Sequence, residues 1–266
     1  MNHALHSIVC LKVVPKPEEV SINPETLTLD RADARSEINP GDMNALETAL
    51  QLKDRHGGSV SLLAMGPPLF VPYLRVGLAM GADACYLLSD RAFGGADTLA
   101  TSYTLAAGIR KIGAFDLILC GEESSDGATG QVPPGIAEWL GIAQVTYATE
   151  LSLHSARGVV RATREFSSGK ESVMAPLPVV ISVRARCNEP RFMKMERRPW
   201  AETAPVNVWS AQDLDADPEA IGLTGSATVV AGTKDAARRD RKRQLLSGTI
   251  DEKARLLAEV IRSYMN

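Results

Sequence analysis

The stretch "GEESSDGATGQVPPGIAEWLG", residues 121 to 141, follows the apolar run "FDLILC" and leads into a helix-like segment. It is short of large side chains, and between a strand and a helix such a stretch suits the binding of a small anion. Gly127 and Gly130 let backbone amides approach a ligand closely. Ser124, Ser125 and Thr129 add hydroxyls, and the helix that follows presents the positive end of its dipole. Pro133 and Pro134 have no amide hydrogen, so the donors come from about Gly127 to Val132. Asp126 is out of place beside a phosphate and reads as a cap for the turn or for a ribose hydroxyl. A merely solvated Gly/Ser loop is the plain alternative.

Side-chain catalysis finds little support. There is no G-x-x-x-x-G-K-[ST] run, and the first strand continues as "LKVVPKP", without the glycines of G-x-G-x-x-G. No S-G-G-x-D-S loop is present. The histidines at 3, 6, 56 and 154 have neither metal-ligand spacing nor a nucleophile nearby in the chain. Cys10, Cys85, Cys120 and Cys187 are scattered singly, most of them in apolar strand-like runs where a thiol is a small core residue. The net charge, 29 − 32 = −3, gives no basic field for nucleic acid or anionic lipid. No apolar run is long enough to cross a bilayer, and the start "MNHALHSIVCLKVV" reads as a strand rather than a signal peptide. The expectation is a soluble, reduced, cytoplasmic protein without zinc.

The elements that must position the loop alternate. "SIVCLKVV", "SVSLLAMG", "ACYLLSD" and "FDLILC" are buried-strand runs. Between them lie helical segments beginning at "NPGDMNALETALQLKDRHGG", with Asn39 as N-cap, Pro40 at the first helical position and Gly57 as stop. "EVSINPETLTLD" reads as a small hairpin with "NPET" as its turn. Apolar strands alternating with helices predict an α/β, Rossmann-like parallel sheet covered on both faces. In such a sheet ligands sit beyond the strand carboxyl ends, here at Lys12–Pro17, Gly66–Pro68, Ser89–Asp97 and Gly121–Val132. Asp97 and Thr98 begin a helix there, as caps or as hydrogen-bonding partners of a ribose or flavin.

Beyond residue 145 a β meander is expected to about 185, with turns near Ser155–Gly158 and Ser167–Lys170. The domain is expected to span 1–190. Residues 191–266, rich in Pro, Ala and charge, read as an extended C-terminal arm that wraps a partner and ends in an amphipathic helix. Leu256, Leu257, Val260, Ile261 and Tyr264 share one side of that helix. The basic cluster Lys234, Arg238, Arg239, Arg241, Lys242 and Arg243 reads as a solvated face or a contact to an acidic partner surface.

"VCLKVVPKP", "INPGDMNALETALQLKD", "AMGPP", "LAMGAD", "LLSDRAFGGADTLATSYTLAAGIRKIGAFDLILCG", "DGATGQVPPGIAEWLG" and "RCNEPR" occur in an order and spacing that resembles the β (small) subunit of electron-transfer flavoproteins. The resemblance covers roughly residues 5 to 195, and "GLTGSATVV" with the last helix extends it. It implies a heterodimer with an FAD-bearing α subunit, a flavin dehydrogenase partner of the acyl-CoA type, and an adenine nucleotide held by this chain. Carried over residue by residue, the nucleotide shell includes Cys10, Asn39, Pro40, Gly41, Asp42, Met65 beside Gly66, and Gly121 to Val132. Within that last stretch it includes Ser125, Asp126, Gly127, Ala128, Thr129, Gly130, Gln131 and Val132. The compact D-G-x-T-x-Q-V spacing is that of the bifurcating-type clade and favours a second FAD over AMP. Ala128 stands for an expected Asp, Gly130 for an expected Ala, and "EESS" for a basic or polar residue followed by Q-A-I. The resemblance implies a longer segment after N-E-P-R, whereas this chain passes almost directly from Arg191 to a basic run, leaving Phe192, Met193 and Met195 as apolar docking candidates. The rival is a stand-alone nucleotide-binding regulator of the universal-stress type, for which "GLTG" (222–225) is a formal G-x-x-G match.

Overall fold

A computed structural model of the chain describes residues 4–16, 21–22, 29–30, 36–154, 157–231, 243 and 245–265. Strands β1 (His6–Leu11), β6 (Ser59–Met65), β7 (Ala84–Leu88) and β8 (Leu117–Gly121) form the parallel centre of a nine-stranded sheet. Each is buried on both sides, as apolar runs without alternation require. Successive residues still part company: Val9 and Leu11 enter one core cluster, Ile8 and Cys10 the other. One face is covered by α1 (Pro40–His56) and α2 (Val71–Met80), through Leu46, Leu50, Leu74 and Leu78. The other is covered by α3 (Thr98–Ile112) and α4 (Val132–Leu140), through Leu105, Ile109 and Ile136.

The small pairs β2 (Val13–Pro15) with β5 (Ser36–Ile38), and β3 (Ser21–Ile22) with β4 (Leu29–Asp30), lie between β1 and α1 in the chain. The β3/β4 pair supplies the two arms of the expected hairpin. Its "NPET" turn lies outside the described residues, as do Pro17 and, of the basic cluster, all but Arg243.

The meander is not a separate layer. Strands β9 (Ala143–His154), β10 (Val159–Phe166) and β11 (Gly169–Pro176) run antiparallel and join the main sheet through β9. "ESVMAPLPVVISV" is two strands, because Pro178 offers no ladder donor and the chain turns there. Its second half, β12 (Val179–Val183), returns between β9 and β8, parallel to both. The order is β11-β10-β9-β12-β8-β1-β6-β7-β13, with β13 (Asn207–Trp209) at the far edge. From β1 the chain steps outward to β6 and β7, then returns to place β8 on the opposite side. The gap between β1 and β8 is therefore the topological switch point.

The described residues divide into two compact units, Met1–Gly232 and Thr233–Asn266. Residues 191–231, read from composition as the start of an arm, belong to the first unit. Arg197 donates to the carbonyls of Leu78 (3.1 Å) and Ala82 (2.6 Å) at the end of α2, and Arg75 reaches the Ala201 carbonyl of α5 (Arg198–Thr203). Charged side chains capping a helix end leave no apolar period to read. In the second unit, α6 (Ile250–Met265) opens with a capping box: Glu252 accepts from the Thr249 N–H at 2.8 Å, and Thr249 Oγ1 accepts from the Glu252 N–H.

Candidate functional site

The switch point is fastened by α1. Asp42, in its first turn, accepts from the Lys12 N–H (2.8 Å) with Oδ2 and from the Gly121 N–H (3.0 Å) with Oδ1. One carboxylate thus ties the ends of β1 and β8 together. Burial pushes its pKa from 3.8 up to about 6, against the opposing pull of those hydrogen bonds. A β-carbon on Gly121 would lie 2.6 Å from Asp42 Oδ1, so this strand can end only in glycine if the tie is kept.

Asn39 occupies the cap position of α1, but its side chain makes no cap bond. Its Nδ2 donates to the Glu123 carbonyl (2.9 Å) and its Oδ1 accepts from the Ser125 N–H (3.1 Å). The expected helix cap is instead a clamp on the loop after β8. Gly41 lies close beneath the same loop.

The loop itself turns back on Ser124, whose carbonyl accepts from the Ala128 N–H at 2.7 Å. Ala128 (φ 48°) and Gly130 (φ 63°) are both left-handed, and Gln131 is right-handed (φ −92°, ψ −20°). A left-handed residue followed by a right-handed one points successive N–H groups into a common concavity, an anion-binding nest. The N–H groups of Thr129, Gly130 and Gln131 take no protein acceptor among the described residues. They open at the N-terminus of α4, where the helix dipole adds positive potential. Thr98, at the start of α3, donates to Gln131 Oε1 at 2.9 Å and steadies this corner.

Charge is arranged around the nest rather than in it. Asp126 pairs with Lys12 Nζ at 2.6 Å, and the same ammonium donates to Ser124 Oγ at 3.2 Å. Glu122 turns to the end of β12 and accepts from the Ala185 N–H, while the Glu123 side chain is exposed. The acidic pair in "EESS" therefore does not point both its carboxylates at an anion in the loop.

Asn39, Gly41, Asp42, Thr98, Gly121, Ser125, Asp126 and Gly127 to Val132 come together, with Pro40 starting the helix that carries Gly41 and Asp42. Cys10 does not present a free polar group: it is buried against Cys120, whose thiol is pushed up by its hydrogen bond with Cys10 and by burial. Met65 ends β6 and packs on the core, and the space beside Gly66 is filled by the Phe70 ring. Asp97 is committed internally. It caps Leu99 and Ala100 with one oxygen and holds the Thr228 N–H and hydroxyl with the other.

Two further residues stand at the site. Lys12 was visible only as part of a strand-end segment. Tyr147 on β9 has φ 58°, and a β-carbon on Gly130 would lie 3.1 Å from its hydroxyl; alternation along a strand gives no hint of this.

"RCNEPR" is a lock on α1. Asn188 and Asn44 exchange hydrogen bonds, and Arg191 makes a forked pair with buried Glu47 at 2.8 and 3.1 Å. In "GLTG", a β-carbon on Gly222 would strike the Ala92 carbonyl at 2.0 Å. That glycine serves close packing, which removes the reason to read the motif as a phosphate loop.

Residues 26–214 match the family model described as the electron transfer flavoprotein domain. The chain is 45% identical to the electron transfer flavoprotein subunit beta of Clostridium acetobutylicum, over 85% of this chain and 86% of that one. It is 44% identical to the caffeyl-CoA reductase-Etf complex subunit CarD of Acetobacterium woodii, over 84% and 85%. The subunit beta of Thermoanaerobacterium thermosaccharolyticum is 38% identical over 97% of this chain and 98% of its own.

Proposed function

We propose that this chain, which belongs to the electron transfer flavoprotein family, serves there as the β subunit of an αβ pair and holds an adenine nucleotide between β1 and β8. The observation that carries this reading is the nest formed at Gly130 and Gln131, placed at the switch point and fastened from behind by Asn39, Asp42, Lys12 and Thr98. Within the stretch from Gly127 to Val132, a phosphate would sit on the amides of Thr129, Gly130 and Gln131, since the Ala128 N–H is held by the Ser124 carbonyl, with the Ser125 and Thr129 hydroxyls at hand. Small Ala128 and the flanking glycines leave the loop compact, which favours the pyrophosphate of a second FAD over AMP. When bound, the flavin supplies the electron-transfer chemistry. The chain's own part is to orient the nucleotide, to neutralise phosphate charge with fixed dipoles rather than mobile side chains, and to keep Glu122 turned aside.

The electron donor is a flavin dehydrogenase of the acyl-CoA class, a reading supported by the relative named for a caffeyl-CoA reductase complex. Phe192 (95% exposed), Met193 (42%) and Met195 (71%) are the apolar side chains after Arg191 available to dock it. The α subunit is engaged by residues 233–266, through the exposed stripe of α6. No described helix is long and apolar enough to cross a membrane, and a reduced cytoplasmic setting suits the four free cysteines.

Purification from the native source tests the assembly. The expected product is a yellow complex of two different chains that is reduced by an acyl-CoA dehydrogenase and its substrate. A colourless homodimer that no dehydrogenase reduces would overturn the reading.

A further inference from the structure

Strand β9 is irregular where it passes the nest. Val145 pairs with Ile181 and Ala148 with Val183, so three steps on β9 match two on β12. Thr146 and Tyr147 together oppose Ser182, which is a β-bulge. Val145 and Ala148, three residues apart, both face the core, and Tyr147 is thrown onto the side of the loop.

A bulky residue at φ 58° is strained, and persists only where its surroundings hold it. Two braces do so. The Tyr147 N–H donates to Ser182 Oγ at 3.1 Å, from a serine that is buried on β12. From the other side, Arg164 on β10 donates through Nε to the Thr146 carbonyl (2.8 Å) and through a terminal nitrogen to Thr146 Oγ1 (3.0 Å). The bulge is thus fixed from both neighbouring strands, and what it fixes is the aim of one phenol. That phenol reaches the loop at Gly130, where a β-carbon would crowd its oxygen at 3.1 Å. Gly130 is also the left-handed residue that shapes the nest. The tyrosine hydroxyl and the nest amides are therefore set at the same corner, while the ring remains 37% exposed.

We propose that Tyr147 is a phosphate-binding residue, whose hydroxyl closes over an anion seated on the amides of Thr129, Gly130 and Gln131; this rests on the nucleotide reading above. It donates to a phosphate oxygen as a neutral group, so it adds a donor without adding charge. A phenol at this place favours phosphorylated over unphosphorylated ligands and contributes nothing to the recognition of a bare nucleoside.

The test measures binding of AMP and of adenosine to the full-length chain, purified with its partner and depleted of nucleotide, for wild type and Tyr147→Phe. The expected result is about a tenfold loss of AMP affinity, which is about 1.4 kcal/mol, with adenosine unchanged. Unchanged AMP affinity, or an equal loss for both ligands, overturns the proposal and leaves the ring as packing. Wild type that binds AMP no better than adenosine instead sinks the phosphate-nest reading, and Tyr147's role with it. If Tyr147→Phe does not fold, wild type labelled at tyrosine Cζ decides: one tyrosine signal must move with AMP and stay with adenosine.

Discussion

At the scale of single residues, the site depends on side chains that hold the loop rather than on side chains that meet a ligand. Asn39 is the clearest case, because both ends of its amide are used on the loop and its side chain makes no helix-cap bond. Asn39→Ala is expected to lower stability by about 2 kcal/mol, roughly 1 per hydrogen bond lost, and to release nucleotide while α1 stays helical. Thermal unfolding, circular dichroism and nucleotide content read the three effects separately. A loss of helix with nucleotide retained would return Asn39 to an ordinary cap. Asp42 gives a pH signature with an uncommon sign. Its folded pKa of about 6 lies above the ordinary 3.8, so the folded chain holds this proton more tightly. The stability this contributes is fully present below about pH 4 and is lost as pH rises through 6, about 3 kcal/mol at about 1.4 per pH unit. Unfolding titrations should show Asp42→Asn lacking that component between about pH 4 and pH 6; an unaltered pH profile would contradict it.

At the scale of elements, the four parallel strands, the four helices around them and the loop after β8 were legible because burial and helical period leave direct marks on residue type. Gly57, Pro40 and the apolar strand runs announce their own boundaries. What stayed hidden has a common cause, which is that it is set by partners distant in sequence. The bulge at Tyr147 depends on Ser182 and Arg164, the place of β12 depends on β8, and the packing of residues 191–231 depends on carbonyls at the end of α2. Of the site, the glycines and hydroxyls of the loop could be read, but not that Asn39 clamps it or that Asp97 serves Thr228. The lock of "RCNEPR" on α1 makes this testable. Arg191→Ala leaves buried Glu47 without its cation and should cost roughly 2 kcal/mol, a figure reduced from that of a fully buried pair because the arginine is 22% exposed. Replacing both Glu47 and Arg191 by leucine should recover most of the loss in denaturant unfolding. No recovery would mean that the pair contributes more than charge compensation.

At the scale of the molecule, one unit carries the candidate site and the other carries an apolar helix face. Leu257 and Val260 are 50% and 40% exposed on α6. If that face holds the α subunit, Leu257→Glu with Val260→Glu should weaken assembly at least tenfold by placing charge in an apolar contact, without shifting the unfolding of the first unit. Sedimentation at several concentrations measures this, and unaltered assembly would move the contact elsewhere. In the proposed function the loop from Gly121 to Val132 holds an adenine nucleotide, with a second FAD favoured over AMP. The direct measurement is the amount of FAD and of AMP released per αβ pair when the purified complex is denatured. Two FAD and no AMP are expected. One FAD and one AMP would contradict the choice of nucleotide, and one FAD with no second nucleotide of any kind would contradict the site itself.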